Sequence, residues 1–351
     1  MSVRDLIIVG AGPSGLSAAI AAKKRGLEYQ VLEQGTLVNS IFRFPPQMVF
    51  FTTPELLEIG GLPFVSPYDK PTRAEALRYY RKVVETYDLQ IAYNETVLSV
   101  EREVPAPGEE TASHGAGESP GVFAVETRSS RGVRRVRHAR HVVFAIGYYD
   151  HPNRLNVPGE DLPHVHHYYS EPHPYFRQRV VIVGGGNSAA EASLELFRAG
   201  THVTLVHRAP ALKSTIKYWV RPDIENRFKE GSIAAMFNAT VRAITSSSVT
   251  VRCGDAAEPS GGAVPGRVHD IPADAVFLLT GYRADSHLMA SAGIELNERD
   301  APVCDPETFE TNVAGLFVAG GAIAGVDTGT IFIENGRFHG EKIVEVIAGR
   351  T

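Results

Sequence analysis

The sequence predicts an α/β chain of two Rossmann-like, three-layer ββα dinucleotide-binding domains, the second inserted in the first. Three observations predict it. A strand, a glycine turn and a helix follow one another near the start of the chain and again near its middle. The separation from Gly10 to Glu33 equals that from Gly184 to His207, a coarse internal repeat one domain apart. Each repeat is followed by strand-like segments that end on a glycine, at Gly147 and at Gly281.

Each element follows from local pattern. Leu6 to Val9 is a buried-strand run, and an Ala-rich helix from Leu16 to about Arg25 follows the first turn. Gly26 ends that helix, and Tyr29 to Glu33 reads as the next strand, which completes a βαβ unit. Val180 to Val183, a helix running to Ala199, the cap Gly200 and the strand His202 to His207 repeat the order. Val97 to Glu103, Val122 to Thr127 and Arg134 to Val143 read as strands between the units. Pro105 to Pro120 and Gly254 to Gly266 are low-complexity pieces, read as solvated loops. The tail from Gly315 to Gly349 reads as strand, glycine turn and helix, with the last helix opening at Thr328 to Ile331. The expected partition is 1–158 with 286–351 as a first domain and 159–285 as a second.

Composition narrows the function. The chain has 351 residues, 43% hydrophobic and 21% charged, which is the balance of a globular protein. A net charge of -5 argues against nucleic acid as a partner, because neutralising phosphates needs a basic surface. Two cysteines, Cys253 and Cys304, offer neither a disulfide framework nor a cysteine metal site, so a reducing, cytoplasmic compartment is expected and no metal. The apolar start is broken by Gly10, Gly12, Pro13 and Gly15, which excludes a signal peptide, and no apolar run is long enough to span a membrane.

The two turns carry the chemistry. Gly10-Ala11-Gly12-Pro13-Ser14-Gly15 fits G-x-G-x-x-G: a tight turn, a close backbone approach to pyrophosphate, then close helix packing. The helix N-terminus offers N–H groups to the phosphates, and Glu33 stands where a carboxylate accepts from ribose hydroxyls. Gly184-Gly185-Gly186-Asn187-Ser188-Ala189 is the G-x-G-x-x-A variant. Its second strand ends in His207-Arg208 instead of an acid, which suits a ribose 2′-phosphate and favours NADPH over NADH, with Lys213 near in sequence. Two nicotinamide sites would leave no carrier to an acceptor. A flavin in the first supplies one, because it takes a hydride and releases electrons singly or in pairs.

Beyond these turns, Ala145-Ile146-Gly147, Thr280-Gly281 and Leu316-Phe317-Val318-Ala319-Gly320 resemble the flavoproteins related to thioredoxin reductase. Val38-Asn39-Ser40-Ile41, Phe50-Phe51-Thr52-Thr53-Pro54-Glu55, Lys70-Pro71-Thr72-Arg73 and Ile331-Phe332-Ile333-Glu334-Asn335-Gly336-Arg337-Phe338-His339-Gly340 are similar to the YpdA-type bacillithiol disulfide reductases, over nearly the whole chain. The resemblance implies FAD in the first domain, NADPH in the second, reduction of a low-molecular-weight disulfide, and a homo-oligomer. With the turns, it points to FAD contacts at Gly10, Gly12, Pro13, Ser14, Gly15, Glu33, Gln34, Asn39, Ser40, Val97, Gly147, Gly320, Thr330 and Ile331. The NADPH contacts are Gly184, Gly186, Asn187, Ser188, Ala189, His207, Arg208, Lys213 and Gly281.

Two departures stand out. The family usually carries a cysteine inside the first turn, where this chain has Ser14, the candidate catalytic position. A hydroxyl cannot form the mixed disulfide that thiol chemistry requires. Gly321 stands where thioredoxin reductase relatives place an aspartate. Three readings stay open: a disulfide reductase, an NADPH:acceptor reductase serving a ferredoxin, a quinone or a small redox protein, and a flavin monooxygenase. The last lacks its F-x-G-x-x-x-H fingerprint before the second unit.

Smaller clusters have plainer readings. His164, His166, His167 and His173 match no zinc spacing and read as a domain-crossing linker. Arg131, Arg134, Arg135, Arg137 and Arg140 read as one solvated sheet face. Lys217 to Pro222 either lines a substrate cleft or packs as core with surface charge.

Overall fold

A computed structural model of the chain describes residues 2–103, 121–254 and 266–350. The chain divides into two compact units, Met1–His151 with Tyr282–Thr351, and Pro152–Gly281. Both crossings fall earlier than the sequence suggests. Leu155 and Val157 explain the first, because they pack against the second unit's core. The low-complexity piece at 105–120 and nearly all of that at 254–266 lie outside the described residues.

In the first unit, β1 (Val3–Val9), α1 (Pro13–Lys24) and β2 (Tyr29–Glu33) form the expected βαβ start. The sheet continues through α3 (Arg73–Tyr87, after the single-turn α2, Asn39–Phe42), β3 (Ile91–Tyr93), β4 (Glu95–Arg102), β5 (Phe123–Ser129) and β6 (Arg134–Phe144). Strand β6 serves two layers. Its first half pairs antiparallel with β5, and its second half pairs parallel with β1 and with the strand Leu316–Val318. Alternation along β1 then builds both cores. Leu6 and Ile8 pack with α1, Tyr80, Val83 and the C-terminal helix His339–Ala348. Ile7 and Val9 pack on the other face with Val100, Phe123 and Val125. Thr72 and Glu75 cap α3 reciprocally.

The second unit repeats the plan. Its parallel sheet runs Ala234–Met236, His202–Val206, Arg179–Val183, Ala275–Leu278 and Val165–His166. Val180 and Ile182 face the helix Asn187–Arg198, while Val181 and Val183 face a three-stranded antiparallel layer, Ala239–Ile244, Ser248–Cys253 and Val268–Pro272. The two units are therefore both three-layered, as the repeat predicts.

Val165–His166 corrects one expectation. The histidine stretch lies in the second unit as an edge strand, not as a linker. His166 packs against Phe277 at 5.2 Å, and His167 lies 3.6 Å from the buried Glu160. Among the described residues, no helix is long and apolar enough to cross a membrane.

Candidate functional site

The first turn sits at the C-terminal edge of its parallel sheet. Gly10 has a φ of 108°, and a Cβ there would lie 2.4 Å from the Ala145 carbonyl oxygen. A Cβ at Gly15 would lie 2.0 Å from the Gly10 carbonyl oxygen. Gly12 differs, because nothing lies within 4 Å of its ideal Cβ. This leaves an open face over the start of α1, where the first N–H groups have no partner inside the helix. The cradle fits the pyrophosphate of a dinucleotide such as FAD. Pro13, at the first helical position, has no N–H to offer, so Ser14 and Gly15 supply the donors.

Glu33 is 5% exposed. Its Oε2 accepts from the Ala11 amide at 2.8 Å and its Oε1 from the Gly35 amide at 2.8 Å. Burial pushes its carboxyl upward, against the pull of these two donors. Each oxygen retains a further lone pair, so a ribose hydroxyl fits as a third partner. Gln34 donates to Asp150 at 2.9 Å, and Asn39 and Ser40 lie on α2. Val97 is buried in the core on β4, where it stands opposite Thr127 of β5. Gly147 and Gly320 each follow one of two paired strands, β6 and Leu316–Val318.

The tail corrects a second expectation. No helix opens at Thr328 to Ile331; the next helical turn is Ile333–Gly336, and the final helix is His339–Ala348. Asn335 explains this. Its Oδ1 accepts from the Phe332 amide at 2.8 Å and its Nδ2 donates to the Thr330 carbonyl at 2.9 Å, which fixes a turn there. Thr330 and Ile331 therefore present turn backbone, and a four-residue helix carries little dipole.

Gly321 acquires a physical reason. A Cβ there would lie 2.7 Å from Cδ1 of Tyr148. The phenol ring takes the space that an aspartate would need. Ser14 is partly buried, and its hydroxyl donates to the Gly336 carbonyl at 3.0 Å.

Three residues of this site were missed in the sequence. Glu334 is half-buried; burial pushes its carboxyl up, and the Thr52 hydroxyl bonds to it. Arg337 donates to the carbonyls of Glu55 and Glu58, each at 2.7 Å. His339 accepts the Gly320 amide on Nδ1 at 3.1 Å and stacks on Phe309 with ring centroids 4.2 Å apart. All three lie in a stretch already singled out, but their partners are remote in sequence.

Burial, with Lys342 adding to it, pulls the His339 imidazole down to about 4. The native ring is thus neutral where an unfolded one begins to charge. As pH falls from 6.5 towards 4 the unfolded chain takes up a proton that the native state refuses, so stability falls across that window. Below it both states are charged and the loss stops. The loss amounts to at most about 3 kcal/mol. Urea melts of the protein and of His339→Gln across that range should show a smaller pH slope in the variant. Equal slopes would remove His339 from the account.

The second turn has the same design. A Cβ at Gly184 would lie 2.4 Å from the Leu279 carbonyl oxygen and 3.0 Å from the Ala189 Cβ, while nothing lies within 4 Å of one at Gly186. The open face stands over the helix start at Asn187 and the exposed Ser188. Asn187 holds the following loop, accepting from the Lys217 amide at 2.8 Å and donating to the Thr215 carbonyl at 3.1 Å. Gly281, with a φ of 95°, follows Thr280, whose hydroxyl donates to the Asn153 carbonyl at 2.6 Å.

His207 behaves differently from Arg208. It is buried, and its ring atoms lie 2.2–2.5 Å from an ideal Cβ at Gly185, so it packs against the turn. Burial, then the charges of Arg208 and Lys213, push its imidazole below the ordinary range. The expected cationic role of His207 is therefore corrected to packing by a neutral ring. Positive charge comes from Arg208 and Lys213, both exposed. The Lys213 amide donates to the Gly185 carbonyl at 2.9 Å, which fastens residue 213 to the turn.

The remaining clusters are held largely by ion pairs, although Tyr218 and Trp219 are exposed. Arg134 pairs with Glu126, Arg140 with Asp5, and both Arg135 and Arg137 with the buried Glu95. Burial opposes the Glu95 carboxylate, but Arg137, Thr127 and Arg135 together hold it below its ordinary range. Lys217 pairs with Glu191 at 2.6 Å. Burial, and then Asp305, push the Cys304 thiol up, which disfavours a thiolate. Among the described residues no group of three or more His, Cys, Asp or Glu is placed to hold a metal.

The family model described as pyridine nucleotide-disulphide oxidoreductase matches residues 7–112 and 116–320. Bacilliredoxin reductase Bdr of Bacillus subtilis (strain 168) is 39% identical over 345 residues, 98% of this chain and 97% of that protein. The solved structure of bacillithiol disulfide reductase Bdr (YpdA) from Bacillus cereus matches with a TM-score of 0.89 at 38% identity, covering 100% of both chains. The one from Staphylococcus aureus matches with a TM-score of 0.86 at 37% identity, again covering 100% of both.

Proposed function

The chain belongs to the pyridine nucleotide-disulphide oxidoreductase family, and from that premise we propose that it is an FAD enzyme that uses NADPH to reduce a low-molecular-weight disulfide such as bacillithiol disulfide. One observation carries the reading. Two matching cradles occur in one chain, the first backed by the buried carboxylate Glu33 and the second flanked by the exposed cations Arg208 and Lys213. The first suits the ribose of FAD and the second the 2′-phosphate of NADPH.

Bound in the first cradle, the flavin supplies a two-electron carrier between the nicotinamide and the acceptor. The protein's part is to hold and orient. The first-turn glycines admit the pyrophosphate, Glu33 accepts from the ribose, and Asn39, Ser40, Gly147, Gly320, Thr330 and Ile331 border the remainder. In the second cradle, Gly186, Asn187, Ser188 and Ala189 receive the pyrophosphate, and Gly281 ends the strand beside it. Overall, one NADPH, one proton and one disulfide give NADP+ and two thiols.

Ser14 favours a second reading, an NADPH:acceptor reductase serving a ferredoxin, a quinone or a small redox protein, because that reaction needs no protein thiol. The discriminating assay follows NADPH oxidation by the FAD-loaded protein with bacillithiol disulfide, a ferredoxin or a quinone. Acceleration by the disulfide is expected. Acceleration only by another acceptor would replace the first reading with the second.

We infer a cytoplasmic homo-oligomer. Cys253 and Cys304 are both free, and Phe42, Val49, Phe51 and Leu56 are exposed along one segment of the first unit. Light scattering on the eluting protein tests the oligomer.

A further inference from the structure

Residue 14 is enclosed by the tail of its own unit. Its hydroxyl donates to the Gly336 carbonyl at 3.0 Å, across 322 positions of sequence. An ideal Cβ at Gly320 would fall 2.3 Å from the Ser14 Oγ and 2.9 Å from its Cβ. One at Gly336 would fall 3.3 Å from that Oγ, and one at Gly340 would fall 2.7 Å from the Ser14 carbonyl oxygen. Three glycines of the tail thus close on one serine. The neighbouring Gly320 amide is held by His339 at 3.1 Å, and the turn at Thr330 is held by Asn335.

This contact joins the two halves of the flavin cradle. The pyrophosphate turn lies on one side of it, and the segment from Gly320 to Gly340 lies on the other. A hydroxyl suits the space, being small and a good donor to a carbonyl. A thiol in the same space would be bulkier and a weaker donor to the Gly336 carbonyl.

Resting on the disulfide-reductase reading above, we propose that Ser14 is a positioning residue that fastens the tail to the first glycine turn, and that electrons reach the disulfide without a protein-bound sulfur at position 14. The stoichiometry still balances. The two electrons and one hydrogen of the NADPH hydride, with one solvent proton, convert the disulfide to two thiols.

Three measurements test this. For Ser14→Ala, the Kd for FAD should rise about tenfold and the visible circular dichroism of bound flavin should change, because the Gly336 carbonyl loses its donor. For Ser14→Cys, turnover with bacillithiol disulfide should be no higher than wild type. In the same folded variant, a thiol reagent located by peptide mass should leave residue 14 unlabelled until urea is added. An unchanged Kd with unchanged dichroism in Ser14→Ala would overturn the fastening role. If that variant fails to fold, labelling of Ser14→Cys decides alone. A rise in turnover of about tenfold or more together with native labelling would overturn the proposal and restore a thiol relay. A wild type inert towards every disulfide would instead overturn the underlying reading, while the FAD measurement would still decide the role of Ser14.

Discussion

Replacing Arg208 and Lys213 together by alanine is expected to lower kcat/KM for NADPH by about 10²- to 10³-fold, and for NADH by less than about threefold. The extra phosphate of NADPH is the only chemical difference between the two, so groups that touch it alone affect one cofactor alone. A charge-assisted hydrogen bond contributes about 1.5–3 kcal/mol, and each factor of ten in rate corresponds to about 1.4 kcal/mol. Both side chains are exposed, so their removal leaves the core intact. His207 should not behave in this way. It is 7% exposed and packs on Gly185, so His207→Ala should weaken both cofactors alike by opening a void beneath the turn. Steady-state kinetics with the two nicotinamides settle the matter. Equal losses for NADPH and NADH in the Arg208, Lys213 variant would refute the 2′-phosphate assignment.

The contrast between His207 and Arg208 shows how far the residues alone could lead. Both turns were legible because their glycine spacing is local, and local spacing maps directly onto a strand, a tight turn and a helix. The three-layer plan was legible for a related reason: Leu6, Ile7, Ile8 and Val9 form an unbroken apolar run, and such a strand must be covered on both faces. Which way a terminal side chain turns is not local. His207 and Arg208 are adjacent, yet one fills the space over Gly185 and the other stands in solvent. The partners of Ser14, Gly321, His339 and Arg337 are similarly set by where the tail returns to the sheet edge. Sequence spacing carries no signal for such meetings. The tail also hid its own turn, because Asn335 ends a helix-like pattern by bonding backward to Thr330 and Phe332. The histidine stretch gave no strand signal because its strand is minimal. A strand of two residues, Val165–His166, is too short to show an alternating pattern in the sequence.

Gly340→Ala is expected to destabilise the protein by about 3 kcal/mol and to release flavin, although it adds only one methyl group. The reason is what the methyl would meet. An ideal Cβ at Gly340 lies 2.3 Å from the Ala18 nitrogen, 2.8 Å from the Ala18 Cα and 2.7 Å from the Ser14 carbonyl oxygen. All three are backbone atoms of α1, so no side chain can rotate out of the way. The C-terminal helix must move off α1, or α1 must move off the sheet. Either movement shifts the first glycine turn, because Gly12 caps α1 directly. The helix itself would gain from alanine in propensity, by about 1 kcal/mol, so the net loss understates the clash by about that amount. Gly349→Ala is the matching control at the other end of the same helix. Its φ is -75°, and its ideal Cβ meets only the Glu345 and Val346 carbonyl oxygens at 3.6 Å, an ordinary contact. That variant should stay within about 0.5 kcal/mol of wild type. Urea denaturation of the two variants, followed by flavin fluorescence and by backbone dichroism, compares them directly. If Gly340→Ala proved as stable as Gly349→Ala, the close seating of the tail on α1 would be wrong. The enclosure of Ser14 would then fail with it, since Gly340 presses on the same turn of helix.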